Sequence, residues 1–217
     1  RAKLNGAILR RTDLKGSDLS EADLNIADLT GANLVGTKLT GANLDRIKLN
    51  QAKLNGAQLS GARMTKAKLA EVDLTHADLS GANLTGAELN ATLLEGADLS
   101  RANLTEAILT DANLKNAFLI GANLQKADLQ GVNLEGADMA GVKLRHASLK
   151  NANLKQVDLR RADLEHADFS KANLSSANFT GAKMSEGLFI GADLTGANMD
   201  SAETTDTQFK GAVGFKA

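Results

Sequence analysis

Apolar and polar positions recur along this chain with a period of five, from Ala2 to Ser201, without one inserted or deleted residue. Each unit has the form A-(D/N)-L-x-x. The third position is apolar in all forty units: Leu in thirty-three, otherwise Met64, Met139, Phe169, Phe179, Met184, Phe189 or Met199. The first position is Ala in thirty, with small or β-branched exceptions such as Thr37, Ile47, Val72, Val142 and Gly187. On an α-helix, residues five apart lie about 140° from each other after one full turn, so the leucines would smear around the cylinder. On a continuous strand the odd spacing sends successive leucines to opposite faces. The pattern can be buried if each unit holds a three-residue strand, first and third side chains inward, followed by a two-residue corner. The second, fourth and fifth positions then face water.

The outward positions agree with this reading. Asp or Asn fills the second position in 24 of the forty units, and eighteen of the twenty glycines fall at the fifth, where a corner needs backbone freedom. There is no proline, as expected if every coil pairs its backbone with the coils above and below. Self-similarity at a fixed period overrides a globular reading of the length. The predicted organisation is a repeat rod over residues 1–201 followed by an irregular C-terminal cap or tail over 202–217.

The segments "GANLTGAELN", "GADLSRANL" and "KADLQGVNLEGADM" resemble the pentapeptide repeat family, and the resemblance spans about residues 2 to 201. It implies an all-β fold, a right-handed quadrilateral parallel β-helix or solenoid of about ten coils, each built of four pentapeptides. At about 4.8 Å per coil the rod is roughly 50 Å long. The resemblance also implies a bacterial, often cyanobacterial, origin.

Composition narrows the partners. A net charge of −1, from 25 basic and 26 acidic residues, disfavours both a phosphate-binding surface and a strongly acidic decoy, so no nucleic-acid partner is expected. Without cysteine there are no disulfides and no thiolate metal sites. No run approaches the ~18 apolar residues of a membrane span, so no membrane insertion is expected. The chain opens at Arg1 with the repeat already in register at Ala2, which reads as a processed or excised piece. The expected compartment is the cytoplasm, or the periplasm or thylakoid lumen if a targeting segment was removed.

If a coil takes twenty residues, side chains twenty apart form columns. Phe169, Phe189 and Phe209 fall in one interior column with Phe179 opposite, so the core turns aromatic near the C-terminus. The hydroxyl columns Ser20, Thr40, Ser60, Ser80, Ser100 and Thr65, Thr85, Thr105 read as corner residues rather than an ice-binding array, because neither pairs with a regular second Thr column. Summed by face, acids and bases number seven and four on the most acidic side. No face carries a dense negative stripe.

Candidate chemistry is sparse. His146 and His166 stack between Lys126 and Glu186; two imidazoles and a carboxylate are zinc-type donors, but the adjacent cation and the outward splay favour a solvated column, and no metal site or cofactor is expected. Paired carboxylates such as Asp138 and Asp158 lie on a convex surface without a pocket, and no nucleophile–base motif appears, so the chain is not expected to be an enzyme. The residues that break the pattern are apolar at outward positions. Phe118 and Ile120 flank inward Leu119, Leu188 and Ile190 flank Phe189, and Phe209 and Phe215 mark the C-terminal end.

These six are the candidate protein contacts. The expected function is a non-enzymatic rigid protein-interaction or scaffold module, with a homodimer through an end of the solenoid as one form of contact. Two alternatives stand beside it. One, implied by the family resemblance, is a DNA-mimicking inhibitor or protector of a type II topoisomerase, which the balanced charge disfavours. The other is a purely structural spacer domain of a larger protein.

Overall fold

The computed structural model describes residues 2–214. Among them there is no helix, and no strand longer than one bridged residue. The expected three-residue strands are therefore shorter than the sequence suggests: corners recur every five residues and leave the second position alone to sit in a ladder. Parallel bridges run from Lys3↔Asp23 to Asp193↔Val213, each joining residues twenty apart. One circuit of the backbone thus takes four units and turns four corners.

Each corner is a β-turn closed by a hydrogen bond from the first-position N–H of one unit to the third-position carbonyl before it, as from Ala102 to Leu99 at 3.0 Å. Its third residue, the fifth of the unit, has positive φ throughout, the pattern of a type II turn. Glycine suits that conformation without being required. Even Ile26 adopts it, at φ 54°, despite a β-branched side chain for which left-handed backbone costs about 1–2 kcal/mol.

The unit 97–101 shows how the backbone is satisfied. The Ala97 N–H closes the preceding turn onto Leu94; Asp98 donates back to Ala77 at 3.0 Å; Leu99 and Arg101 donate forward to Phe118 at 2.7 Å and Ile120 at 2.9 Å. Only the fourth N–H has no backbone partner, and it donates to the second-position side chain: Ser100 N–H to Asp98 Oδ1, 2.8 Å. The same bond forms at every second-position Asp and Asn from Asp13 to Asn198. This is an Asx turn, and it explains the residue choice: a short side chain with an acceptor oxygen reaches two residues on. All five N–H groups of this unit are engaged, so a proline at any of its positions would remove a bond.

Ala and Leu fill the axis and are almost fully buried from Ala22 to Leu194. Leu4, Leu9, Leu14 and Leu19 in the first circuit, and Met199 and Phe209 in the last, are only partly covered. The two buried threonines keep their hydroxyls satisfied by reaching a carbonyl one coil back, Thr37 to Leu14 and Thr92 to Leu69, each at 2.9 Å. Asp28 is the buried charge among the described residues. It accepts from Arg10 Nε at 2.8 Å and Thr30 Oγ1 at 2.7 Å, and the Arg10 bond foremost holds its carboxyl well below the usual range. The pair therefore stabilises the fold above the pKa of an unfolded Asp and loses that contribution as pH falls through the depressed native value.

The aromatic column forms as the twenty-residue spacing requires. Phe169 and Phe189 stack at 4.8 Å between centroids, Phe189 and Phe209 at 5.4 Å, and Phe179 meets Phe189 edge-on at 6.0 Å. Gly187 makes room for it. A Cβ there would lie 2.8 Å from the Met184 carbonyl oxygen and 3.1 Å from a ring carbon of Phe189. Past Ser201 the chain differs from expectation: Glu203, Gln208 and Val213 still bridge Lys183, Leu188 and Asp193, so residues 202–214 continue the coil. The reason is that the ladder needs only backbone and a positive-φ corner, supplied by Asp206 and Gly211; loss of the core residue at Thr204 and Gly214 does not interrupt it.

Leu99→Asp should cost roughly 3 kcal/mol or more in thermal unfolding by burying an unpaired carboxylate, and Asp98→Ser about 1 kcal/mol or less, the worth of one turn hydrogen bond. Equal losses would contradict the register. Gly187→Ala introduces the residue most common at first positions, yet should destabilise by about 1–3 kcal/mol through overpacking against Phe189, measured in the same melts.

A candidate protein-interaction face

Phe118 sits in the ladder between Asp98 and Asp138. It is the aromatic member of an otherwise polar second-position column and remains 49% exposed, with Ile120 beside it at 44%. Lacking an acceptor, Phe118 cannot close the Asx turn, and the Ile120 N–H is left without the bond that forms wherever the second position is Asp or Asn, as it is also left at Thr40 and Ser60 after Lys38 and Gln58 of the same column. The core gains nothing in return, because Leu119 and Ala117 already fill the axis at this level. A substitution that breaks the local rule without improving the fold marks a position shaped by something other than folding.

The surroundings are polar but not closed. Asp98 and Asp138 each commit one carboxylate oxygen to the turn, accepting from Ser100 at 2.8 Å and Ala140 at 3.2 Å, and the other oxygen of each accepts no hydrogen bond among the described residues. Arg101 and Arg161 occupy the corner of the same face three coils apart, and their guanidinium groups make no hydrogen bond or ion pair among the described residues. Arg160 is instead engaged by Asp158, whose carboxyl it holds below the usual range. Two shallow hollows lie along this edge. One, of about 470 Å³, is lined by Ser80, Gly81, Ser100, Arg101 and Ile120; the other, of about 520 Å³, by Ala140, Gly141, Arg160, Arg161 and Thr180.

The other expected contacts are less open. Ile190 is 36% exposed and Leu188 only half-buried, and Phe209 packs against the core beneath Phe189. Phe215 lies outside the described residues. Five exposed apolar residues escaped the sequence reading: Ile8, Ile26, Leu93, Ile108 and Val213. The signal was available for four of them, since Ile8, Leu93, Ile108 and Val213 are apolar second-position residues like Phe118; Ile26 stands at a corner. These four second-position residues are scattered over two other faces.

Elsewhere the surface is self-satisfied. His146 and His166 stack with centroids 4.7 Å apart and planes 5° from parallel, and His166 Nδ1 lies 3.4 Å from Glu186 Oε2. A metal ion must lie in the plane of each imidazole it binds, so two parallel stacked rings do not converge on one ion. Lys126 pairs with Glu106 at 3.7 Å, and Arg145 bridges Glu165. The hydroxyls of Thr85 and Thr105 donate to Asn83 and Asn103 within their own corners, at 2.7 and 2.6 Å. Every resolved carboxyl shift among the described residues is downward, so none of these carboxyls is poised as a general acid near neutral pH. No helix among the described residues is long and apolar enough to cross a membrane.

Comparison with known proteins places this geometry. The pattern of the pentapeptide repeats family matches in eight copies, at residues 1–34, 27–65, 42–81, 82–119, 119–156, 137–175, 147–185 and 172–213. No curated protein matches the sequence. Among solved structures, HetL, a pentapeptide repeat protein involved in heterocyst differentiation regulation in the cyanobacterium Nostoc sp. strain PCC 7120, is 35% identical; the match covers 97% of this chain and 91% of HetL, with a TM-score of 0.67. The pentapeptide repeat protein alr5209 from Nostoc PCC 7120 is 34% identical over 51% of this chain and 83% of its own, with a TM-score of 0.34. QnrB1, a plasmid-mediated fluoroquinolone resistance protein, is 17% identical over 95% of this chain and 89% of its own, with a TM-score of 0.37. Five-residue units matched from one end to the other, and a backbone shared with HetL along nearly its full length, mean that the chain belongs to the pentapeptide repeat family.

Proposed function

We propose that this chain is a rigid, non-enzymatic protein-interaction module: a right-handed quadrilateral rod of about ten coils whose Phe118 face receives a protein partner. The observation that carries the reading is the exposed aromatic ring of Phe118 next to exposed Ile120, at a second position where an Asp or Asn would have closed the turn. Catalysis has little to work with on a convex surface whose carboxyls are tied into turns and ion pairs. HetL is described as involved in regulating heterocyst differentiation, and a regulatory role exercised through protein contact in a cyanobacterial cytoplasm is the corresponding reading here.

Phe118→Asn with Ile120→Thr separates binding from folding. The new Asn restores the Asx acceptor, so the double variant should melt at the wild-type temperature or slightly above it, by a margin worth about 0.5–1 kcal/mol. Partner capture should fall about tenfold or more, because burying the exposed halves of two large apolar side chains contributes roughly 2–3 kcal/mol. Melts paired with pull-downs from native lysate measure both. Unchanged capture would move the contact to the aromatic C-terminal end, around Phe209 and Phe215.

The topoisomerase reading makes the opposite electrostatic demand. A DNA mimic competes through an ordered negative surface and weakens steeply with salt. This chain, with 25 bases against 26 acids, should leave gyrase supercoiling unaffected at micromolar concentration in a supercoiling assay. Potent, salt-sensitive inhibition would favour the mimic.

A further inference from the structure

Because units twenty residues apart stack, the Phe118 face can be followed level by level along the rod. The second-position column runs Asp98, Phe118, Asp138, Asp158. At the same four levels the adjoining edge carries Arg101, Ile120, Ala140 with Gly141, and Arg160 with Arg161. One column therefore reads acid, aromatic, acid, acid, and the other reads base, aliphatic, small, base. The order of charge along one column is matched, level for level, along the other, with a gap beside Asp138 where only small residues stand.

We infer that the occupant of this face is a second copy of the same chain, packed side by side and parallel about a two-fold axis that runs along the rod. Such an axis exchanges the two columns without changing level. Asp98 then faces the second copy's Arg101, Phe118 its Ile120, Asp138 its Ala140 and Gly141, and Asp158 its Arg161; symmetry repeats each contact in reverse. Arg101 and Arg161 are the two cations of this edge whose side chains make no bond among the described residues, whereas Arg160 is already held by Asp158. The second oxygen of Asp98, not used in the turn, supplies the carboxylate that Arg101 lacks.

Charge also selects the direction. Antiparallel packing centred on Phe118 would set Asp98 against the second copy's Asp138, carboxylate on carboxylate, and leave both arginines facing neutral or basic surroundings. Shape sets no obstacle, since a side of the square prism is flat and Gly121 and Gly141 leave the edge low beside Ile120. Four levels of half of one face amount to roughly a twentieth of the 9671 Å² accessible surface, about 500 Å² per partner, the size of a weak, transient interface. An isologous contact of that size with two apolar anchors at its centre and ion pairs toward its rim has the usual layout of a protein interface.

The inference rests on the reading of Phe118 and Ile120 as a protein contact and names what fills it. Sedimentation equilibrium of the whole chain up to about 500 µM in low salt should show a concentration-dependent dimer. Asp98→Arg places like charges together twice per dimer and should raise Kd about tenfold or more; adding Arg101→Asp should bring it back to within about threefold of wild type. Asp98→Asn keeps the turn hydrogen bond while removing the charge and should weaken the dimer at unchanged melting temperature, which covers the case in which Asp98→Arg folds poorly. Three results would overturn the assignment: a monomer at every concentration, a dimer tightened by Asp98→Arg (the antiparallel outcome), or a charge swap that fails to restore association. A monomeric wild type whose capture of another protein still depends on Phe118 and Ile120 would sink only the second-copy assignment; a monomer whose capture is indifferent to both residues would sink the proposed function as well.

Discussion

One hydrogen bond that is not part of any ladder recurs through the structure: the fourth-position N–H donating to the second-position Asp or Asn, as it does in 24 of the forty units. A unit of five residues that turns a corner each time has five backbone donors and only one residue in a bridge. Neighbouring coils and the corner absorb four of them. The fifth points along the edge of the rod where no carbonyl waits, and a side chain two residues earlier closes it. Stacking then reinforces the arrangement, because the same side chains can bond to one another from coil to coil: Asn133 to Asn113 at 3.2 Å, Asn153 to Asn133 at 3.0 Å. The hydrophobic axis gives the rod its cohesion, and this local bond makes so tight a coil possible without long strands.

Seen this way, departures from the repeat separate into two kinds. Some are compensated within the fold. Thr37 and Thr92 replace a first-position Ala but return their hydroxyls to a carbonyl one coil back, and Gly187 gives up a methyl group to admit a phenylalanine ring. Others are not compensated. Phe118 removes a turn acceptor and leaves its ring in water, and Arg101 and Arg161 stand at their corners without a counter-ion. Arg10, Arg63, Arg145, Arg160, Lys115, Lys126 and Lys150 have acidic partners, whereas Phe118, Arg101 and Arg161 lie together on one face.

Most of the fold was legible from the period alone. Inward Ala and Leu, polar second positions, glycine at the corner and the stacked phenylalanines are all consequences of a five-residue step, and the twenty-residue circuit came with the family resemblance. What the letters did not disclose was why Asp and Asn hold the second position. Solvent exposure accounts for a polar residue there, but Ser, Lys or Gln would serve equally well; the Asx geometry appears only once the corner's backbone is in place. For the same reason the sequence singled out Phe118 by its size and could not say that it costs a hydrogen bond. It also passed over Ile8, Leu93, Ile108 and Val213, which satisfy the same criterion. The coil over residues 202–214 is not legible from core side chains, which fail at Thr204 and Gly214, whereas the ladder persists on backbone alone.

The bridge between residues twenty apart has a further consequence for how such a chain can change its length. Removing or adding four units shortens or lengthens the rod and leaves every remaining side chain on its own face. Removing one unit is a different event: everything downstream is carried a quarter of the way round, so that a deletion between Phe118 and Asp138 would put the two on adjacent sides with the core still continuous. A rod of this kind works like a combination lock whose dials are cut in steps of five, and its surface can be rearranged wholesale by edits that its interior does not register.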